Sequence, residues 1–219
     1  MSTIAAIGGG RYDNGEIFPI LMHTVSLSGK QEPNLLYVPT AGFDYIIGDE
    51  VIADMFRQCG CKIGTLFLTD VRLTEADIRR KIMGADIIYA GGGSLNFLMT
   101  TWKATKADKY FKEAYESGKI LSGCGAGAMC WFSEGMDIAG KEKSPVFIDC
   151  LGLLPYSCCT EFEKENRRCF EEKVKTRNYD GLALESGTAA VFKDGETYSL
   201  GADGKKAALE ERARIFKNS

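Results

Sequence analysis

Three glycine-rich segments hold the residues whose types and spacing could do chemistry: Gly8-Gly9-Gly10, Gly91-Gly92-Gly93-Ser94 and Gly123-Cys124-Gly125-Ala126-Gly127-Ala128. Each follows an apolar run. Ligands of open α/β sheets bind where strands end and backbone N–H groups converge, so these exits are the candidate sites. The third segment has the shape of a nucleophile elbow, the G-x-[S/C]-x-G turn in which a strand enters a helix so sharply that its middle residue is flanked by glycines. Here the middle residue is Gly125, which has no side chain to attack a substrate. A plain strand–helix turn, with glycines for close packing, accounts for the same residues. The segment is not G-x-G-x-x-G, and the Lys-Ser/Thr of a phosphate-binding P-loop is absent. Cys124 and Cys130 flank the elbow, where a helix start can acidify a thiol. One residue before the elbow centre, Cys124 is expected to point into the sheet or a neighbouring helix, and packing is the simpler role for both thiols.

The whole composition narrows the chemistry further. The chain has 219 residues, a formal net charge of -3, 45% hydrophobic and 26% charged residues, eight Cys and a single histidine, His23. With one imidazole, metal sites built on two histidines are excluded, and any Ser-His-Asp or Cys-His arrangement must use His23 or not exist. Lys and Arg are scattered among acids, which excludes a phosphate-tracking surface and hence nucleic acid as a partner. The apolar runs are too short to span a bilayer and the first residues lack the basic region of a signal peptide, so no membrane partner and a cytoplasmic location are expected. Cys59-Gly60-Cys61 and Cys158-Cys159 lack zinc-site spacing, and the cysteines are expected to be reduced and mostly buried.

The elements that must position these segments alternate in type. Apolar strands are expected at residues 3–7, 35–38, 62–68, 85–90 and 119–122, and helices at 17–27, 46–59, from Thr74 as N-cap, and at 95–102 and 106–117. Repeated strand–helix units imply a mainly parallel α/β sheet with right-handed crossovers and helices on both faces. After residue 151 come a charged stretch at 161–175, short strands at 181–184 and 189–192 that complete the sheet, and an Asp194-Gly195 hairpin turn. A terminal helix is expected at 207–217. No repeat or linker divides the chain, so residues 1–219 are expected to form one domain.

At this point a resemblance appears. Tyr89-Ala90-Gly91-Gly92-Gly93 with Asn96 and Leu98, Leu121-Ser122-Gly123-Cys124-Gly125-Ala126-Gly127-Ala128-Met129, and Leu151-Gly152-Leu153-Leu154 resemble the peptidase E (aspartyl dipeptidase) and cyanophycinase family over nearly the whole chain. The resemblance implies a flavodoxin-like fold related to class I glutamine amidotransferases. It also implies serine hydrolysis of peptide bonds beside Asp, with no metal or organic cofactor, by a monomer or homodimer. The family's serine position maps onto Gly125. Its histidine position maps onto Glu161, within Cys159-Thr160-Glu161-Phe162-Glu163. Both side chains of the ancestral pair are therefore substituted.

What the resemblance leaves intact is the anion-friendly backbone. The family's oxyanion hole would here be Gly92 or Gly93 with Ala126, groups that need no particular side chain. Gly91, Ser94 and Asn96 complete the expected ligand loop, with Ser94 in the place of a family Asn. Two functions follow. One is a catalytically silent member that binds a small acidic or peptide-like ligand in the old cleft. The other is a hydrolase of altered chemistry that uses Cys124, Cys130 or a water activated by a buried Glu161.

Overall fold

The structure, a computed structural model, describes residues 2–12, 14–45, 49–139 and 144–218. Its first half alternates as the apolar pattern predicts: β1 (Thr3–Ile7), α1 (Phe18–Ser26), β2 (Asn34–Val38), α2 (Asp49–Gln58), β3 (Lys62–Thr65), α3 (Glu75–Gly84) and β4 (Ile87–Ala90). Then follow α4 (Leu95–Ala104), α5 (Ala107–Glu116), β5 (Ile120–Cys124) and the single turn α6 (Ala126–Met129). Residues 46–48 of the expected second helix lie outside the described residues. Thr74 caps α3 in a capping box with Asp77, the reciprocal arrangement that satisfies two free N–H groups at a helix start.

The parallel strands run β1-β5-β4-β2-β3. Their side chains divide by alternation. Leu36, Val38, Ile88, Ala90 and Leu121 enter one core with Ile78, Leu98, Trp102 and Phe111 of α3, α4 and α5. Leu35, Tyr37, Ile87, Tyr89 and Ile120 enter the other with Ile20, Leu21, Met55 and Phe56 of α1 and α2. A strand buried on both faces gives the near-continuous apolar runs seen in the sequence. The α/β class, the mainly parallel sheet and the helices on both faces are thus observed.

The second half differs from the expected completion of one sheet. β10 (Thr188–Lys193), β11 (Glu196–Gly201) and β12 (Lys206–Ala207) do extend the first sheet beside β1, each antiparallel to its neighbour, with Asp194 and Gly195 at positive φ in the hairpin turn. However, β6 (Phe132–Ala139), β7 (Ser144–Asp149), β8 (Leu154–Thr160), β9 (Asp180–Leu184) and β13 (Ala213–Phe216) form a separate five-stranded sheet in the order β13-β9-β8-β6-β7. α7 (Phe170–Val174) packs on β9. The expected terminal helix is one turn, α8 (Leu209–Arg212), before the chain becomes β13. Pairing with β9 overrides the helical pattern because the strand buries Ala213 in one core and packs Phe216, partly buried, against another. Among the described residues no helix is long and apolar enough to cross a membrane.

Candidate active-site cleft

β5 reaches the site at Cys124, and Gly125 turns the chain into α6 with φ 60° and ψ −121°. This is sparsely populated backbone for an L-residue. The turn is held from both sides: the Gly125 N–H donates to the Ile7 carbonyl at 3.2 Å, and its own carbonyl accepts from Ala128 and Met129 at 3.0 Å each. The flanking glycines are obligatory for packing. A Cβ on Gly123 would lie 2.1 Å from the Gly127 carbonyl oxygen, and one on Gly127 would lie 2.0 Å from that of Ala90. At Gly125 itself a Cβ would meet only the Gly92 Cα, at 3.8 Å. The elbow therefore has room for a side chain that the sequence does not supply.

All three glycine-rich exits meet in one cleft of about 660 Å³. Gly9 and Gly10 from β1, Gly92 and Gly93 from β4, and Gly125 and Ala126 from β5 form a floor nearly free of side chains. As the first residue of α6, Ala126 has an N–H with no partner inside the helix. Gly93, at φ 140°, packs so closely that a Cβ would lie 2.2 Å from the Ala41 carbonyl oxygen.

Glu161 arrives from the second sheet, one residue past β8. Its N–H donates to the Gly8 carbonyl at 2.8 Å, which ties the two sheets together at the cleft wall. Its carboxylate accepts from the Lys164 ammonium at 2.5 Å. Glu163 turns away and accepts from the Ser186 N–H and hydroxyl at 3.1 and 2.5 Å.

Cys124 lines the cleft with a buried side chain on the α1/α2 face of the sheet. Burial pushes its thiol up to about 11 against a hydrogen bond from Tyr12, with the nearby Glu161 carboxylate adding to the rise. The Tyr12 hydroxyl is in turn 2.9 Å from that of Tyr89. Cys130 lies outside the cleft lining, in the opposite core, where its thiol donates to the Gly127 carbonyl and burial raises its pKa strongly.

Three expected ligand residues do not reach the cleft. Gly91 is buried with its N–H on the Val38 carbonyl. The Ser94 hydroxyl is consumed as the N-cap of α4, accepting from Phe97 N–H at 3.3 Å. Asn96 is exposed on the first turn of that helix. The adjacent Leu95 N–H donates to the buried Asp137 carboxylate at 2.9 Å, so that acid positions a helix rather than a base. His23, on α1, bonds the Tyr198 hydroxyl through Nε2 at 2.8 Å and lies outside the cleft lining.

Sequence reasoning missed Arg11, Tyr12, Tyr45, Thr160 and Arg167, all of which line the cleft. None sits in a glycine motif. Arg167 belongs to the charged 161–175 stretch, which reads as a solvated face until the second sheet carries it inward. Among the described residues no cluster of three His, Cys, Asp or Glu is arranged to hold a metal ion.

Known proteins share this fold. The profile of Peptidase family S51 matches residues 4–200. The uncharacterized peptidase YgaJ of Bacillus subtilis strain 168 is 29% identical over 197 residues, covering 88% of this chain and 84% of YgaJ. The crystal structure of a peptidase from an acI-B1 actinobacterium is similar with a TM-score of 0.70 at 18% identity, over 100% of this chain and 95% of that one. A structure assigned to peptidase E from Listeria monocytogenes EGD-e also gives 0.70, at 19% identity, over 92% of this chain and 98% of that one. With 197 consecutive positions matched and the fold shared, the chain belongs to peptidase family S51.

Proposed function

We propose that this protein binds a small acidic or peptide-like ligand in the cleft and does not carry out the Ser-His hydrolysis of its family. The observation that carries the reading is the elbow: residue 125 has the strained conformation and the free space of a nucleophile, and it is glycine. At the position that corresponds to the family's base, the Glu161 carboxylate is engaged by Lys164. The floor of glycine N–H groups and the Ala126 N–H remains suited to a carboxylate or carbonyl oxygen, since such donors require no side chain.

Altered hydrolysis finds less support. A thiol pushed up to about 11, as at Cys124, is almost wholly protonated at neutral pH, and the thiolate is the attacking species. Cys130 lies outside the cleft lining. The Glu161 carboxylate is held by the Lys164 ammonium at 2.5 Å.

The test incubates the purified protein with Asp-containing dipeptides and follows free amine release. No release above buffer is expected, while the same dipeptides bind at equilibrium. Turnover by the unmodified protein that survives repurification would overturn the proposal.

A further inference from the structure

The loop that brings Glu161 and Arg167 to the cleft is bracketed by two free thiols. Cys159 is the last residue but one of β8, and Cys169 immediately precedes α7. Both reach one small core: Cys159 is fully buried there with Met136, Phe162 and Phe170, and Cys169, half-buried, packs against it. The Arg167 guanidinium stands at the same place, with one Nη donating to the Met136 carbonyl at 2.7 Å. Burial pushes the Cys159 thiol up to about 12; Arg167, hydrogen-bonded to that sulfur, opposes the rise, while Cys169 and Glu161 are near enough to add to it. Neither thiol has a firm partner of its own. Cys159 donates to the Thr160 carbonyl at 3.6 Å and Cys169 to that of Asn166 at 3.7 Å, and S–H is a weak donor. The adjacent Cys158 does not compete for Cys169, because successive strand residues face opposite ways and its side chain enters the α3/α4/α5 core.

We propose that Cys159 and Cys169 form a hydroperoxide-sensitive dithiol whose disulfide closes residues 159–169 into a ring and fixes the Glu161 and Arg167 wall of the cleft. The pair acts whatever ligand the cleft takes. Cys169, the more accessible thiol, loses its proton and its sulfur attacks the terminal oxygen of the peroxide. The O–O bond breaks, Cys169 becomes a sulfenic acid, and water or an alcohol leaves with the proton. The Cys159 sulfur then attacks the Cys169 sulfur. An S–S bond forms, the S–O bond breaks, and hydroxide leaves with the Cys159 proton as water. Two electrons pass from the two sulfurs to the peroxide, and a thiol reductant reverses the change. The Arg167 guanidinium beside Cys159 favours the thiolate that this second step needs. In the oxidised ring, Glu161, Lys164 and Arg167 lie on a closed loop tied at both ends to the same core, so local opening of the wall is suppressed.

The full chain treated with hydrogen peroxide, blocked with N-ethylmaleimide and digested after denaturation tests the pair by mass spectrometry. Peptide 144–164 is expected joined to peptide 169–173, with fragmentation placing the bond at Cys159, and reduction should separate them. Cys59, Cys61, Cys124 and Cys130 should carry the maleimide. Cys169→Ser should abolish the link and leave Cys159 blocked. Should the buried Cys159→Ala variant not fold, Cys169→Ser carries the test alone, because its thiol is half-buried at the surface of the core. Brief trypsin treatment of the folded protein gives the second readout: cleavage after Arg167 and Arg168 should slow several-fold on oxidation and return on reduction, with no slowing in peroxide-treated Cys169→Ser. Oxidation of Cys169 to the sulfinic acid with Cys159 still free, a disulfide formed by other cysteines in its place, or equal cleavage of oxidised and reduced parent would overturn the proposal.

Discussion

Placing a serine at the elbow is the most informative single perturbation. In Gly125→Ser the new Cβ has space, with its nearest neighbour the Gly92 Cα at 3.8 Å, so the cost lies in the backbone. Holding an L-residue at φ 60° and ψ −121° is worth about 1–3 kcal/mol of strain. For a chain of this size each kcal/mol moves the melting temperature by about 2–4 °C, which predicts a loss of about 2–12 °C. Cleavage of an Asp-containing dipeptide should stay at background, because position 161 offers a carboxylate paired with Lys164 in place of an imidazole. The double variant Gly125→Ser, Glu161→His supplies the base. Residue 161 sits at φ 53°, in the left-handed region that His tolerates better than most residues. Losing the Lys164 pair, whose lysine is half exposed, costs at most about 1 kcal/mol. Amine release by the double variant should therefore exceed that of the single one at a comparable melting temperature. A Gly125→Ser protein as stable as its parent would refute the strain, and a single variant that cleaves as fast as the double would refute the assignment of position 161.

Two further predictions follow from buried groups. Iodoacetamide with peptide mapping should label Cys169, which is half-buried near the surface, faster than Cys124 or Cys130, and labelling led by Cys124 would revive a thiol mechanism. At Glu134 burial favours the neutral acid, but Arg177 at 2.9 and 2.5 Å and the Ser157 hydroxyl prevail and hold its pKa below the ordinary 4.5. A carboxylate depressed in the folded state stabilises above its unfolded pKa, and that contribution is lost as pH falls through the folded value. Glu134→Gln should thus cost roughly 2–4 kcal/mol at neutral pH, below the full figure for breaking a buried pair because Arg177 is partly exposed, and should flatten the decline in melting temperature below about pH 4.5. Parallel acid limbs in parent and variant would contradict it.

Strands β1, β2, β4 and β5 were legible because each is buried on two faces, and β1, β4 and β5 lead into glycine; β3 is the partly exposed edge strand. The second sheet was not legible, and β6 shows why. Its sequence places Glu134 and Asp137 among apolar residues, a mixture that reads as solvated. Both acids are buried, Glu134 under Arg177 and Asp137 on the Leu95 N–H, and those partners lie 43 and 42 residues away. Long-range satisfaction of this kind leaves no local periodicity. The same limit applies to the site. Glycines that a Cβ would destroy announce themselves in sequence, whereas Arg167 and Thr160 enter the cleft only because β8 is paired between β6 and β9. Ser94 misled for the complementary reason: a small polar residue before an apolar run serves equally as a ligand or as a helix cap, and here it caps α4.

The elbow's shape does not depend on what residue 125 does. Its N–H is fixed by Ile7, its carbonyl by Ala128 and Met129, and its neighbours by carbonyl oxygens that admit no Cβ. Removing a nucleophile's side chain from such a turn relieves strain instead of collapsing the geometry. A change of side chain at residue 161 is equally tolerable, since its main-chain bond to the Gly8 carbonyl, one of the contacts between the sheets, stays whatever side chain is attached. A fold built this way can shed its reaction at little cost in stability and keep the backbone donors that once served it. Selection on the walls can then act separately: Arg167, Tyr45 and Val51 line the cleft and belong neither to the elbow nor to the glycine floor.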